Sequence, residues 1–289
     1  MAIGSQTAPG RMQFRFRPSE ERGGDDHGWL KTFHTFSFAD YYDRDFVQYG
    51  PLRVINEDRV FPGQGFPFHR HQEAEIFSYI LSGELSHKDT MGNVETMKRG
   101  DVQMTSGGTG IAHSEYNDHP NKEVHFLQIW ARPSQRALKP QYYTRHFTDA
   151  DKKDKFAHIV APVGYETVKD VREADGPTPV HAPLHFFTSL LSPKADPVTH
   201  NVLPRFNPVE GSTDKLVYLQ VVQSSGYSIE ASKKDGSGAL IKVIGNNGQE
   251  TILGEGDGVF VDGAVEGDVV KVENIGEKVA EVILFDMDA

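Results

Sequence analysis

The sequence predicts an all-β protein, whose short strands form a sandwich or a barrel. Runs of β-branched and aromatic residues recur along the 289 residues, and Gly, Pro, Asn and Asp separate them. The pattern in residues 268–273 (DVVKVE) suits a half-buried strand. Sustained helical periodicity is rare, and the best helix candidate is residues 149–155, with Thr148 as its N-cap. Together these observations favour sheet over helix along the chain.

The predicted strands follow one another at short intervals, each bounded by turn-forming residues. Such spacing leaves room for hairpins and tight turns but not for long crossover helices. In chain order, the strand-forming runs are residues 51–63, 75–89, 124–133, 214–226, 239–248, 258–263, 267–276 and 279–286.

A stretch rich in proline and turn residues, which includes residues 171–183 and 191–208, separates two strand-rich halves. The segments RGDV (99–102) and EGDGVF (255–260) resemble each other, which indicates an internal duplication. We therefore expect two β-barrels in tandem. The first, residues 1–145, includes an N-terminal arm and the candidate ligands; the second, residues 146–289, is a degenerate copy without metal ligands.

Composition restricts the functional classes. The chain has no cysteine, which excludes disulfides, thiolate nucleophiles, iron–sulfur clusters and cysteine-type zinc sites. Its net charge is −11, and an acidic surface disfavours direct binding to nucleic acid. No apolar run is long enough for a transmembrane helix, and the first residues lack the apolar region of a secretory signal. We therefore expect no membrane contact and a cytoplasmic or nuclear location.

Two short clusters contain the candidate metal ligands. His69 and His71 are two residues apart in FPFHRHQ, and His113 and Glu115 are two residues apart in GIAHSEY. Side chains at positions i and i+2 of a strand point to the same face, so two neighbouring strands could place three or four ligands around one cation. Imidazole and carboxylate ligands suit iron, nickel, copper, manganese or zinc, and not calcium.

The spacing around these clusters resembles the two motifs of the cupin superfamily. The first segment reads Gly-x5-His-x-His-x3-Glu from Gly63 to Glu75, and the second ends in Gly-x2-His-x3-Asn from Gly110 to Asn117. Glycines at the turns allow positive φ and close approach of neighbouring backbone. In the general cupin pattern, the fourth ligand is Glu75.

A longer match, over about residues 15–135, resembles the pirin family of two-barrel cupins. Its segments are RGGDDHGWLKTFHTFSFADYYD, HRHQEAEIFSYILSGELSHKDTMGN and RGDVQMTSGGTGIAHSEYN. The resemblance implies iron(II) held by His69, His71, His113 and Glu115, with nickel, copper, manganese, zinc or cobalt as other candidates. Glu75 would then be a neighbouring carboxylate that orients a ligand histidine.

One departure from the pirin pattern concerns the residue that follows the histidine pair. Many pirins have an arginine there, whereas this chain has Gln72, and Arg70 lies between the histidines. A redox switch that depends on that arginine is therefore not implied for this chain.

The resemblance implies two competing functions. The first is a dioxygenase that uses O2 to open the ring of quercetin-like flavonols, small aromatic polyphenols, and releases carbon monoxide. The flavonol 3-hydroxyl must lose a proton, and Glu115 or Glu75 would be the base. The alternative is a metal-dependent, redox-responsive transcription cofactor that acts through contacts with a protein partner. The intact set of four ligands favours the enzyme.

For several other residues near the motifs, we predict a structural role and not a role in metal binding. We expect His87, His119 and His125 to be satisfied or exposed histidines and not ligands. Five aromatic residues near the motifs are candidates for lining a pocket for a flat polyphenol, although we expect most of them to lie in the core. These candidates are Phe36, Phe38, Tyr41, Phe68 and Phe77.

Overall fold

The computed structural model describes residues 11–207, 210, 212–229 and 232–289, and the first strand in this part is β1, Gln13–Arg17. These residues form four β-sheets, which confirms the predicted all-β class. Each predicted run contains a strand, because β-branched and aromatic side chains pack well on a pleated surface.

The first barrel consists of a seven-stranded and a four-stranded sheet. Its strands are β2 Gly23–Asp26, β3 Leu30–His34, β4 Leu52–Val60, β5 Gly65–His71, β6 Glu75–Ser82, β7 Glu84–Asp89, β8 Val94–Lys98, β9 Asp101–Ser106, β10 Ile111–Tyr116, β11 Val124–Ala131 and β12 Gln141–His146. The large sheet has the order β12-β9-β6-β11-β4-β3-β2, and the small sheet has the order β5-β10-β7-β8. Apolar residues from both sheets, including Ile80, Leu85, Met97 and Phe126, fill the space between them.

The second barrel is built in the same way. Its remaining strands are β13 Ala157–Pro162, β14 Thr178–Val180, β15 Leu184–Leu191, β16 Val198–Asn201, β17 Lys215–Val221, β18 Leu240–Gly245, β19 Glu250–Gly254, β20 Gly258–Ala264, β21 Val269–Asn274 and β22 Ala280–Asp288. The large sheet has the order β1-β20-β17-β22-β15-β13-β14, and the small sheet has the order β16-β21-β18-β19. Valine, leucine and isoleucine side chains, such as Val243, Val272 and Leu284, form its core.

The four-stranded sheets and the inner strands of the seven-stranded sheets follow the same order in the two barrels, which supports the predicted duplication, while the outermost strands differ. The similar segments RGDV and EGDGVF precede or enter equivalent strands, β9 and β20. In each turn the aspartate accepts a backbone N–H three residues earlier: Asp101 from Lys98 at 2.7 Å and Asp257 from Gly254 at 2.9 Å. The repeat is therefore visible in specific contacts as well as in topology.

Asn117 and Asn274 provide a second repeated contact, at the ends of β10 and β21. The side-chain Nδ2 atom of each asparagine donates hydrogen bonds to two backbone carbonyl oxygens. The acceptors are the carbonyls of Val60 at 2.9 Å and Lys122 at 2.8 Å for Asn117, and of Leu191 and Lys278, both at 2.8 Å, for Asn274. Each asparagine thus fastens its small sheet to a strand of the large one.

The two large sheets pack against each other across a shared aromatic core. The rings of Phe186 and Phe285 stack at 4.5 Å, and Phe77 and Tyr79 of the first barrel lie 5.9 and 6.1 Å from Phe186. Because side chains alternate along a strand, one face of each large sheet lines its own barrel and the other face joins the two barrels.

The predicted division at residue 145 needs one correction. Strand β1 pairs with β20, with Phe14 opposite Val261, so residues 13–17 lie in the second barrel. In that sheet β1 takes the edge place that β12 takes in the first. The division itself falls one residue before the end of β12 at His146. Sequence order could not show this exchange, because a strand's sheet is decided by its hydrogen-bonding partner.

Helix α1, Asp149–Lys152, confirms the predicted helix but is shorter than the proposed segment. The Thr148 hydroxyl accepts from the Asp151 N–H at 3.2 Å, and the Asp151 carboxylate accepts from the Thr148 N–H at 2.8 Å. A 3-10 helix spans Ser19–Glu21. In the described part of the chain, no helix has the length and apolar character that crossing a membrane requires.

Candidate metal centre

Strands β5, β10 and β7 place the candidate ligands in one row inside the first barrel. His113 on β10 lies opposite His69 on β5, and Glu115 lies opposite His87 on β7. A β-bulge between His113 and Glu115 shifts the pairing with β5 by one residue. The two strands that carry the candidate ligands, β5 and β10, are therefore adjacent, as the sequence predicted.

His69, His71 and His113 converge on one point. One ring nitrogen from each lies within 4.8 Å of the others, and the Nε2 atoms of His69 and His113 are 3.2 Å apart. Two imidazole ligands at about 2.1 Å from one ion would lie about 3.0–3.4 Å apart. The arrangement of the three histidines therefore fits a transition ion.

The hydrogen bonding and protonation of these histidines also suit metal binding. His69 Nδ1 donates to the Pro67 carbonyl at 2.8 Å, which leaves Nε2 with a free lone pair. Burial and neighbouring imidazoles lower the pKa of His71 to about 4 and that of His113 to about 3. Both rings are thus neutral near pH 7, which is the form that binds a metal.

Glu115 lies deeper in the barrel, where only 1% of it is exposed. Its Oε1 accepts from the Ser78 hydroxyl at 3.2 Å, and its Oε2 accepts from the Gln128 amide at 2.8 Å. It forms a second candidate group with His87 and His113, distinct from the three-histidine group. Its predicted role as fourth ligand to the three histidines therefore stays a prediction.

The position of Glu75 corrects the expectation that this residue orients a ligand histidine or acts as the base. Its carboxylate accepts from the Ser106 hydroxyl at 2.5 Å and from the His181 N–H at 3.0 Å. Glu75 and Ser78 are three residues apart on β6 and therefore point to opposite faces. Ser78 faces Glu115, so Glu75 faces the second barrel, away from the three histidines.

Asp58, on β4, is a buried carboxyl group that sequence reasoning missed. Its Oδ1 accepts from the Thr32 hydroxyl at 2.5 Å. Burial raises the pKa of Asp58 to about 7, and the charges of Glu115 and Glu57 add to this shift. Side chains alternate along β4, so Asp58 lies on the same face as Val60, which belongs to the core of the first barrel. This alternation was the signal that could have identified Asp58 as an inward-facing carboxyl group.

Two further residues near the site, Gln128 and Trp130, were also missed. They share the inner face of β11, where the Trp130 ring lies 4.9 Å from the His71 ring and 5.6 Å from the Phe38 ring. The available signal was Gln128, a polar residue two positions before Trp130 in the largely apolar strand β11. Trp130 therefore gives the site an aromatic wall on the side of His71.

The other aromatic candidates divide between core and surface. Phe36 and Phe77 are only 1% and 0% exposed and belong to the core between the barrels, so they do not line the site. Phe68 is 58% exposed. The fourth phenylalanine, Phe38, contacts Trp130, whose ring in turn lies beside that of the candidate ligand His71.

The three histidines predicted to have no metal role behave differently from one another. His125 Nε2 lies 3.0 Å from Glu57 Oε1, and His119 Nδ1 accepts two backbone N–H groups, so both are satisfied as expected. His87 also contacts a carboxylate, Asp89, but it lies within the second candidate group. Its burial among other ligand-capable side chains could not be read from its position in the sequence.

The site opens towards the surface near His71. A cleft of about 540 Å³ is lined by His71 together with Arg70, Gln72 and Thr90. The cleft brings polar side chains close to one candidate ligand, whereas His113 is wholly buried. A small molecule could therefore approach the site from the side of His71.

Equivalent positions in the second barrel are mostly apolar. His200 lies opposite Val270, as His69 lies opposite His113, and Val272 takes the place of Glu115. Both candidate ligand groups found among the described residues lie in the first barrel. Valine therefore stands at the positions equivalent to His113 and Glu115, whereas the position equivalent to His69 keeps a histidine, His200.

Comparisons with known proteins agree with this architecture. The Pirin family model matches residues 15–131. A quercetin 2,3-dioxygenase of Escherichia coli (strain K12) is 36% identical over 222 residues, which cover 76% of this chain and 87% of that protein. A pirin-like protein of Caulobacter vibrioides is 41% identical over 145 residues, 50% of this chain and 62% of that protein.

Two solved structures cover nearly the whole chain. YhhW from Escherichia coli is 30% identical with a TM-score of 0.74, over 95% of this chain and 97% of that chain. The bacterial pirin YhhW in complex with nickel(II) is 30% identical with a TM-score of 0.72, over 96% and 99% of the two chains. With the sheet order and the histidine cluster, these similarities show that the chain belongs to the pirin family.

Proposed function

We propose that the first barrel binds a divalent transition ion and supports a dioxygenase reaction on flavonols. His69, His71 and His113 would be ligands, and Glu115 would be the fourth. The convergence of three imidazoles, with a 3.2 Å separation between two Nε2 atoms, is the observation that carries the proposal. The names of the Escherichia coli relatives, one a quercetin 2,3-dioxygenase and one a nickel(II)-bound pirin, support it.

The donor set restricts the ion to a class. Imidazole nitrogens and one carboxylate suit iron(II), nickel, copper, manganese, zinc or cobalt, and we propose iron(II) as the native ion. When bound, such an ion supplies Lewis acidity and open positions for substrate oxygen atoms and O2. The pairing of β5 with β10 would hold these histidines in place for an ion.

Glu115 is the residue that we propose as the base. A flavonol bound through its 3-hydroxyl must lose that proton, and a Glu115 carboxylate oxygen would receive it. Ser78 and Gln128 each donate to Glu115, so they fix its orientation while leaving further lone pairs on each oxygen. Glu75 cannot take this role, because it faces the other barrel and contacts Ser106 and His181.

The surroundings of His71 suit a flat polyphenol. The Trp130 ring, 4.9 Å from the His71 ring, would offer an apolar surface. Arg70 and Gln72 in the 540 Å³ cleft would bind phenolic hydroxyl groups of the substrate. The proposed substrate is therefore a hydroxylated aromatic molecule that reaches the centre from this cleft.

The test combines metal analysis with an aerobic quercetin assay. Protein loaded separately with iron(II) or nickel(II) is expected to consume quercetin and O2 together, and Glu115→Gln is expected to lower kcat by about 10²–10⁴-fold. Glu84→Gln, an exposed change on the neighbouring strand β7, is the matched control and should retain full activity. Metal-loaded protein that consumes no quercetin would refute the flavonol proposal.

A further inference from the structure

We propose that the first barrel contains a second, deeper position for a divalent transition ion, formed by His87, His113 and Glu115. One ring nitrogen from each histidine and one Glu115 oxygen lie within 4.8 Å of one another. Ligand atoms about 2.1 Å from one ion lie about 3–4 Å apart, so small side-chain rotations suffice to bind it. This proposal extends the proposed metal centre but does not depend on flavonol activity.

His87 has the hydrogen bonding of a metal ligand. Its Nε2 lies 3.2 Å from Asp89 Oδ2, and its Nδ1 is buried and has no hydrogen-bond partner. Metal-binding histidines usually donate one N–H to a carboxylate or carbonyl and bind the ion through the other nitrogen. With Asp89 accepting from Nε2, the Nδ1 lone pair of His87 is free for an ion.

Asp89 is itself held firmly in the orientation that His87 requires. It accepts the backbone N–H groups of Met91 at 2.9 Å and Asn93 at 3.0 Å, and the Asn93 side-chain amide at 2.7 Å. A carboxylate fixed in this way restricts the His87 ring to one orientation.

His113 can serve either position because it has two nitrogens. Its Nε2 faces His69, and its Nδ1 is buried without a partner. The two unpartnered nitrogens, one on His87 and one on His113, belong to rings whose centroids are 5.2 Å apart. Leaving two such atoms buried and unpaired is costly unless a ligand satisfies them.

The donor set defines the ligand as a divalent transition ion. Two imidazoles and one carboxylate are the ligand types of the 2-His-1-carboxylate site, which suits iron(II) and related ions. Glu115 would be a ligand in the deeper position and in the proposed four-ligand centre alike, so one ion occupies one position or the other. His87, His113 and Glu115 are at most 1% exposed, so an ion held there is shielded from the cleft beside His71.

Titration with Co²⁺, followed by its visible absorption, tests this position directly. A His69→Ala/His71→Ala double variant lacks two of the three outer histidines. It is expected to bind one Co²⁺ per chain, and adding His87→Ala should abolish this binding. Adding His119→Ala instead is the matched control, because His119 lies outside the barrel row and should not alter the titration.

Two further variants separate a loss of metal binding from a loss of folding and test the role of Asp89. His87→Gln removes the imidazole with a smaller change in volume, and circular dichroism reports whether each variant keeps its sheet content. Asp89→Asn in the double variant should weaken Co²⁺ binding about 10–100-fold, because it removes the carboxylate that orients His87.

The outcomes separate this proposal from the flavonol proposal. A folded double variant that binds no Co²⁺, or that binds it equally well with and without His87, overturns the deeper position. Co²⁺ binding that depends on His87, in a protein whose metal-loaded wild type leaves quercetin unchanged, supports the deeper position and refutes only the flavonol activity.

Discussion

The Nε2 atoms of His69 and His113 lie 3.2 Å apart across the paired strands β5 and β10. The Pro67 carbonyl accepts from His69 Nδ1, so the His69 lone pair points towards His113. Two imidazoles whose nitrogens meet at this distance are positioned to bind an ion, because the backbone pairing holds their strands together. Metal binding should therefore require little rearrangement of the barrel.

Replacement of His113 is expected to have the largest effect on metal binding. His113 belongs to both candidate groups, so His113→Ala should remove binding at the outer and the deeper position alike. Metal content after reconstitution and dialysis should fall from about one ion per chain to none. His119→Ala is the control, and a His113→Ala protein that keeps its ion would contradict the assignment.

Gln128 is expected to act on the metal through Glu115. Gln128→Leu removes the 2.8 Å hydrogen bond to Glu115 Oε2 while keeping a side chain of similar size. Loss of such a supporting contact typically weakens metal affinity about 10–100-fold. Competition with a chelator of known affinity measures the change. An unchanged affinity would mean that Glu115 binds no ion.

The contact between Glu75 and His181 is expected to make stability depend on pH. The hydrogen bond with Glu75 raises the pKa of His181 above 6.5, although burial opposes it. A raised histidine pKa stabilises the fold fully below pH 6.5, and this contribution is lost as pH rises through the folded-state value. Wild type should therefore exceed Glu75→Gln in stability most at acidic pH.

Urea denaturation of wild type and Glu75→Gln on both sides of neutrality checks this expectation. The same variant should retain wild-type metal affinity, because Glu75 faces away from the three histidines. Glu84→Gln provides the exposed control. A metal affinity that falls with Glu75→Gln would restore the role that the cupin pattern assigned to this residue.

Asn117 and Asn274 should contribute similarly to stability, since they make equivalent contacts in the two barrels. Replacement by Ala leaves two carbonyls without this donor in each case, at a cost of about 1–3 kcal/mol for each buried group left unsatisfied. The free energy of unfolding from denaturant titration measures both losses. Asn121→Ala, an exposed change, should have little effect. A large loss for one asparagine alone would contradict the equivalence.

Much of the fold and the central ligands could be predicted from the sequence. Alternating and β-branched runs gave the strands, because burial of one face imposes a period of two. The spacing of His69 with His71, and the presence of His113 after a glycine-rich turn, predicted the three histidines that the structure brings together. These features depend on local pattern, which a sequence contains explicitly.

The exchange of β1 into the second barrel, the outward position of Glu75 and the inward position of His87 could not be predicted in this way. Strand pairing joins residues far apart in the chain, as Phe14 with Val261 shows. A local pattern also separates the residues of a strand into two faces, but it does not show which of these faces lines the barrel. Glu75 and Ser78 share β6, yet only Ser78 faces Glu115.

The sequence alone therefore determined the all-β class, the two similar strand-rich halves and the candidate ligands of the two clusters, since each follows from short-range spacing of residue types. The tertiary structure decided which barrel Glu75 and Glu115 face, where the His87 ring lies and to which barrel the first strand belongs. Those features depend on packing between strands that are distant in the chain. Burial of the whole sheet, and not the sequence of any one segment, determines which face of a strand points inwards and which strand it pairs with.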